Sequence, residues 1–155
     1  CDGGIMMNLQ ELHTVIENGL NVKIIIFNND GYLMIKHTQK MLFKGNYVSV
    51  NKGTGIGLPN FKKLLPAFGY SYFSLKNNKN TDSAIDAFIN YNGPAVLEVF
   101  MDPEQGFLPK VKGVAKEDNT ILAPPIEEMS PLVSREQLEN SMLIELSNKS
   151  DQIKR

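Results

Sequence analysis

Two polar turns, Cys1-Asp2-Gly3-Gly4 and Asn28-Asn29-Asp30-Gly31-Tyr32, stand 27 positions apart counted from Asp2 to Asn29, with one helical and one strand-like pattern between them. Leu9, Leu12, Val15 and Ile16 recur at helical spacing as one apolar stripe, while Gln10, Glu11, Thr14 and Glu17 face away. Asn8 followed by Glu11 reads as a capping box, and Gly19 with Leu20 reads as a left-handed helix stop. Val22 to Phe27 is nearly continuous in β-branched and aromatic residues, the composition of a strand covered on both faces in a parallel sheet. A helix of about eleven residues runs back ~16 Å and a six-residue strand returns ~20 Å. Both turns therefore arrive at one sheet edge, and in parallel sheets the edge beyond the carboxyl ends of the strands is where ligands bind.

The rest of the chain fits this frame. Pro59 opens a helix over residues 60–68 that Pro66 should shorten, residues 81–90 read as a further helix with Ala84, Ile85 and Phe88 facing a sheet, and residues 95–100 read as the next strand. The expected fold is α/β, a doubly wound and mostly parallel sheet flanked by helices. From Pro103 onward prolines break the periodicity, so residues 1–102 are expected to form the packed body and residues 103–155 a C-terminal extension. That extension ends in a helix opened by the capping-box sequence Ser134-Arg135-Glu136-Gln137.

Sixteen basic and seventeen acidic residues give a net charge of -1 without a basic cluster, which argues against nucleic acid and anionic membrane as partners. The longest apolar run is far below the ~20 residues of a membrane helix, and no signal peptide opens the chain. A cytoplasmic location is expected. The single cysteine, Cys1, excludes an internal disulfide and a cysteine-based zinc site.

Chemistry on the expected edge is oxygen chemistry. Asp2 brings a carboxylate, Asn29 a carboxamide oxygen, and the Asp30-Gly31 turn a main-chain carbonyl, a set suited to magnesium with substrate phosphate and water completing its shell. Gly3 and Gly4 let main-chain amides approach a phosphate, and the start of the helix capped by Asn8 adds its dipole. The same residues also form ordinary solvent-facing turns, so spacing leaves both readings open.

The order Asp-Gly, a short apolar stretch, Asn8-Leu9-Gln10-Glu11-Leu12, an apolar strand and Asn28-Asn29-Asp30-Gly31-Tyr32 resembles the signature of thiamine diphosphate (ThDP) enzymes, and most of all the acetolactate synthase and pyruvate decarboxylase group. The resemblance covers residues 1–102. It implies that Asp2, Asn29 and the Gly31 carbonyl hold Mg²⁺, that the amides of Gly3, Gly4 and Ile5 hold the diphosphate, and that Tyr32 and Met34 border the cofactor, with Met34 near the thiazolium ring. Gly4 replaces the usual serine, which removes a hydrogen bond typically worth about 1 kcal/mol. Leu33 to Gln39 aligns with the stretch that follows in acetolactate synthases, with Gln39 retained and Thr38 in place of a tryptophan that shapes the second-substrate pocket.

The resemblance further implies a 2-keto acid substrate, a carboligase reaction, and a homodimer or homotetramer in which a pyrimidine-binding domain of a partner subunit supplies the activating glutamate. No catalytic residue is assigned within this chain. Because the sequence opens at the aspartate turn, the cofactor domain is expected to be N-terminally incomplete here, and the isolated chain to bind ThDP weakly and to be inactive. A decarboxylase and a noncatalytic binding or assembly subunit are the alternative readings. Four features are assigned no ligand role: His13, His37, the Lys36/Lys40 pair, taken as a solvated face, and the glycine-rich loop Lys52 to Gly57, taken as flexible. Pro124 to Met129 is a candidate for folding over the site mouth.

Overall fold

The computed structural model describes residues 1–115 and 120–153, which divide into two compact units, 1–105 and 106–155. In the first unit the elements are α1 (Asp2–Ile5), α2 (Glu11–Glu17), β1 (Lys23–Asn28), α3 (Leu33–Leu42), α4 (Phe61–Ala67), β2 (Ser71–Leu75), α5 (Thr81–Ile89) and β3 (Ala95–Phe100). All three strands run parallel in the order β1-β3-β2, with Ile26 opposite Glu98 and Ser74 opposite the same residue on the other side. Crossover helices make this parallel arrangement possible, and they lie on both faces.

On one face Leu12, Ile26, Phe61, Leu65, Tyr70 and Val96 form a buried cluster, with Leu9, Val15 and Ile16 of the expected stripe packed against it. Full burial of a side chain such as Phe61 or Leu65 contributes about 1.5–3 kcal/mol. On the other face α5 sets Phe88 and Ile85 against Ala95, Leu97, Phe73 and Leu75. The central strand β3 is accordingly buried from Ala95 through Glu98.

Several local expectations hold. Gly19 takes φ +60°, and the N–H groups of Gly19 and Leu20 close onto the carbonyls of Ile16 (3.0 Å) and Val15 (3.0 Å), which is the paired bonding of a Schellman stop. Asn60 caps α4 by accepting the Lys63 N–H at 3.1 Å, and Pro66 lies inside that helix, which ends one residue later.

Three expectations are corrected. Asn8 does not cap α2: its main-chain carbonyl accepts the Glu11 N–H at 3.1 Å, one of a run of tight turns through residues 7–13, and regular helix begins only at Glu11. The amide that the Asn8 side chain would have capped is already bonded. The helical turn that contains Asp2 is instead α1, four residues long and capped by Cys1 without a side-chain bond.

Second, β1 is covered on one face only. Ile26 is buried, whereas Ile25 and Phe27 on the opposite face remain 49% and 47% exposed beside an apolar cavity of about 410 Å³, because on that face α5 packs against β2 and β3. Third, Lys36 is not on a solvated face. It is 8% exposed and its ammonium donates to the Pro103 carbonyl (3.2 Å) and to the Glu104 carboxylate, fastening α3 to the turn after β3, while Lys40 lies 3.8 Å from the same carboxylate.

The second unit holds two short antiparallel pairs, β4 (Lys110–Val111) with β7 (Met129–Ser130) and β5 (Val114–Ala115) with β6 (Ile121–Leu122), and the helix α6 (Arg135–Ser141). Ser134 and Gln137 form both halves of the expected capping box, with Leu138 buried behind them. Glu128 is buried and paired with Arg135 at 3.0 Å, and the Arg135 guanidinium also donates to the Ser150 carbonyl at 2.8 Å.

Glu127 accepts the Ser147 N–H (2.9 Å) and the Ser150 hydroxyl (3.0 Å). Main-chain hydrogen bonds, its own amide first and then that of Ser147, hold the Glu127 carboxyl below its ordinary value. A carboxyl with a lowered folded-state pKa contributes stability above its unfolded value of about 4.5 and loses it as pH falls through the folded value. Melting of this unit is therefore expected to decline on acidification from about pH 4.5 downward, and Glu127→Gln to flatten that part of the curve. A melting profile over pH 7 to 2.5 checks both, and an unchanged acid limb in the variant would contradict the assignment.

Candidate cofactor and metal site

Asp2 joins the two polar turns. Its side chain is fully buried, Oδ1 accepting the N–H of Gly3 at 2.8 Å and Oδ2 accepting the N–H groups of Asn29 (2.9 Å) and Gly31 (3.0 Å). Hydrogen bonds from N–H to a carboxylate are about twice as strong as neutral ones, so a single residue at the start of α1 fixes the turn beyond β1. Asp30, between the two bonded amides, sits at φ +62° and gives its own N–H to Asn28 Oδ1 at 3.0 Å. The three successive amides of residues 29–31 thus all end on side-chain oxygens.

Gly31 is required where it stands. Its φ is +146°, and a Cβ would fall on the Val50 carbonyl oxygen, the same oxygen that accepts the Tyr32 N–H at 2.8 Å. Gly3 is confined too, though less severely, since a Cβ there would lie 2.8 Å from the Tyr32 ring, whose hydroxyl donates to the Gly3 carbonyl at 3.3 Å.

The donor set suits a hard cation. A carboxylate offers about four lone-pair positions and Asp2 uses three on amides. Asn29 is 6% exposed and its Oδ1 is buried without a hydrogen-bond partner, an arrangement that ordinarily costs about 1–3 kcal/mol unless something binds the oxygen. Among the described residues no group of three or more His, Cys, Asp or Glu side chains is placed to hold a metal. A cation here would take carboxylate, carboxamide and main-chain oxygens from Asp2, Asn29 and the Gly31 turn, which is magnesium chemistry.

The residues expected around a diphosphate are placed differently from one another. The Gly3 amide is committed to Asp2 and the Ile5 amide to the Cys1 carbonyl at 3.1 Å, while the Ile5 side chain packs into the core. Gly4 is exposed, with open space where a side chain would stand. Met34 is also exposed, on the first turn of α3, and the Thr38 hydroxyl turns back to the Met34 carbonyl at 3.1 Å. Gln39 brackets the main chain of Val48 with both ends of its amide, at 2.9 and 3.0 Å. The glycine-rich loop is a short helical turn closed by Asn51 and Thr54, whose hydroxyl accepts the amides of Val50 (2.9 Å) and Asn51 (3.0 Å).

Sequence reasoning did not single out Glu98. It is 3% exposed in the middle of the central strand, accepting from Asn28 Nδ2 at 2.5 Å and from the Tyr72 hydroxyl. Burial, the hydrogen bond to Glu98 and its negative charge all push the Tyr72 pKa upward, so the phenol stays protonated and donating. Because Asn28 Oδ1 holds the Asp30 amide, this trio sits directly behind the Asn29 turn. A lone acid within Ala95-Val96-Leu97-Glu98-Val99-Phe100 was the available signal, since a buried charge requires a partner.

The family described as thiamine pyrophosphate enzyme, C-terminal TPP binding domain, matches residues 1–99. The acetolactate synthase large subunit of Pyropia yezoensis is 37% identical over 110 residues, 71% of this chain and 18% of that protein. Acetolactate synthase isozyme 1 large subunit of Escherichia coli (strain K12) is also 37% identical over 110 residues, 71% of this chain and 19% of its own length. The mitochondrial acetolactate synthase catalytic subunit of Saccharomyces cerevisiae is 30% identical over 138 residues, 89% of this chain and 19% of that protein. The chain spans about a fifth of the length of these curated relatives.

Proposed function

Because this chain belongs to the thiamine pyrophosphate enzymes, through their C-terminal TPP-binding domain, we propose that it is the magnesium- and diphosphate-binding part of a ThDP-dependent 2-keto acid carboligase similar to acetolactate synthase. The observation that carries the magnesium assignment is the buried, unpartnered Asn29 Oδ1 on the turn that Asp2 holds. Asp2, Asn29 and the Gly31 carbonyl would hold the ion. Gly3, Gly4 and Ile5 would lie along the diphosphate, and Tyr32 and Met34 beside the rest of the cofactor. When bound, ThDP supplies the carbon-centred nucleophile and electron sink for 2-keto acid decarboxylation and carbon–carbon bond formation.

The work of this chain is positional. Asp2 fixes the turn that carries Asn29, Tyr32 donates to the Gly3 carbonyl of α1, and Gln39 holds the loop at Val48. A pyrimidine-binding domain from a partner subunit, assembly as a homodimer or homotetramer, and a cytoplasmic location belong to the same proposal. Among the described residues no helix is long and apolar enough to cross a membrane.

One observation favours a second reading, a noncatalytic subunit that keeps the fold. Asp2 has a structural task independent of any metal, since three main-chain amides depend on it. Asn29 separates the two readings because its Oδ1 has no partner among the described residues. In protein purified from its natural source, with any companion chain present, calorimetry is expected to show ThDP binding that requires Mg²⁺. Asn29→Ala should weaken it by about tenfold or more while leaving the melting temperature nearly unchanged. Absence of Mg²⁺-dependent binding in the unaltered protein would favour the noncatalytic subunit. Acyloin rather than aldehyde as the product of 2-keto acid turnover would separate carboligase from decarboxylase.

A further inference from the structure

A cavity of about 300 Å³ opens at the carboxyl edge of the sheet, between the ends of all three strands and the start of α4. Its lining is mixed in charge. Glu98, nearly fully buried, lies at the base with the Tyr72 hydroxyl and the Asn28 amide, Ser74 contributes a hydroxyl, and Lys62 and Lys76 stand exposed at the sides. Neither lysine has a carboxylate partner among the described residues, and Lys76 is held over the Phe100 ring at 5.5 Å.

This lining selects its ligand by exclusion. A multivalent anion such as pyrophosphate would meet the Glu98 carboxylate, and a bare cation would meet two ammonium groups. A molecule carrying a carboxylate with a hydrogen-bond donor one carbon away satisfies both: its carboxylate faces Lys62 and Lys76, and its hydroxyl or ammonium donates to Glu98, which has accepting capacity beyond its bonds to Asn28 and Tyr72. The volume, at the lower end of the ligand-pocket range, admits a small molecule only. We propose that this cavity is a binding site for a small 2-hydroxy or 2-amino carboxylate, separate from the Asp2/Asn29 site and independent of the function assigned there.

Three probes on one carbon skeleton test it. Propionate, L-lactate and L-alanine differ only in carrying hydrogen, hydroxyl or ammonium at the second carbon, and each is titrated into the ¹⁵N-labelled chain while the Asn28 side-chain amide and the Ser74 main-chain amide are followed by NMR. Saturable shifts with lactate or alanine, at least tenfold tighter than with propionate, are expected from a charge-assisted hydrogen bond to Glu98. Tighter alanine identifies an amino acid site and tighter lactate a hydroxy acid site.

Glu98→Gln should narrow the gap between the probes, and Lys76→Met should weaken all three by roughly threefold to fivefold, as for an exposed ion pair. Lys76 is a surface residue, so its variant keeps the test available if Glu98→Gln does not fold. Equal affinity for all three probes, no shift with any of them, or indifference to Lys76→Met would overturn the proposal.

Discussion

Asp2→Ala is expected to abolish Mg²⁺-dependent ThDP binding, with a loss of about a hundredfold or more, and to destabilise the protein by about 3 kcal/mol. The two effects have separate origins. Removing the carboxylate takes away the anionic ligand of the proposed ion, and it also leaves the amides of Gly3, Asn29 and Gly31 without their acceptor in a fully buried position. An unpaired buried amide costs about 1–3 kcal/mol, less where local rearrangement admits water, so the sum over three stays well above the effect of an ordinary surface change. Asp2→Asn should fall between, because its carboxamide oxygen can still accept from one or two of the amides. Calorimetric titration read beside thermal unfolding separates the effects. Full stability in Asp2→Ala would mean that the carboxylate does not hold the Asn29 turn.

Gly31→Ala should be the most damaging single-methyl addition in the first unit. The backbone at φ +146° lies in a region that L-residues avoid, which costs on the order of 1–3 kcal/mol, and the added carbon meets the Val50 main-chain oxygen, which cannot swing aside as a side chain would. Relief requires the Tyr32 N–H to leave Val50 or the Asn29–Gly31 turn to leave Asp2. About 3 kcal/mol of lost stability, a fall of about 10 °C in Tm for a chain of this size, is expected together with weakened metal binding. Gly4→Ala is the matched control, since open space surrounds that position and its φ is unexceptional. Equal melting of the two variants would mean that the Val50 oxygen does not confine Gly31.

Much of this architecture is legible in the sequence where periodicity and punctuation agree. The stripe of α2, the stop at Gly19-Leu20, the strand Ala95–Phe100 and the box at Ser134/Gln137 follow from local rules that tertiary contacts reinforce. The strand Ser71–Leu75 is harder to see, because five residues, two of them serine, give little alternation to read. Asn8 shows a limit of a different kind. A capping box is a side-chain motif, and here main-chain turns satisfy the same amides first. Ile25 and Phe27 show another: apolar composition states what a strand can bury, and only the surrounding elements decide what it does bury.

At the site, Asp2 and Asn29 were legible as a spaced pair, and the fold brings them to one place. Lys36 and Glu98 were not, because each draws its meaning from a residue more than 60 positions away: Glu104 for Lys36, and Asn28 for Glu98. Long-range pairing of a charge leaves no local pattern apart from its conspicuous presence in an apolar strand or on a helix.

The bonding of Asp2 also bears on how inheritance at this site is interpreted. An aspartate that closes three main-chain amides stays under selection for folding even in a lineage that does not bind the proposed ion. Among the described residues Asn29 has no such second duty for its side-chain oxygen, so it is free to drift where the proposed ion is not bound. Under the proposed magnesium assignment, loss of the asparagine rather than of the aspartate would mark the end of ion binding among descendants of this domain.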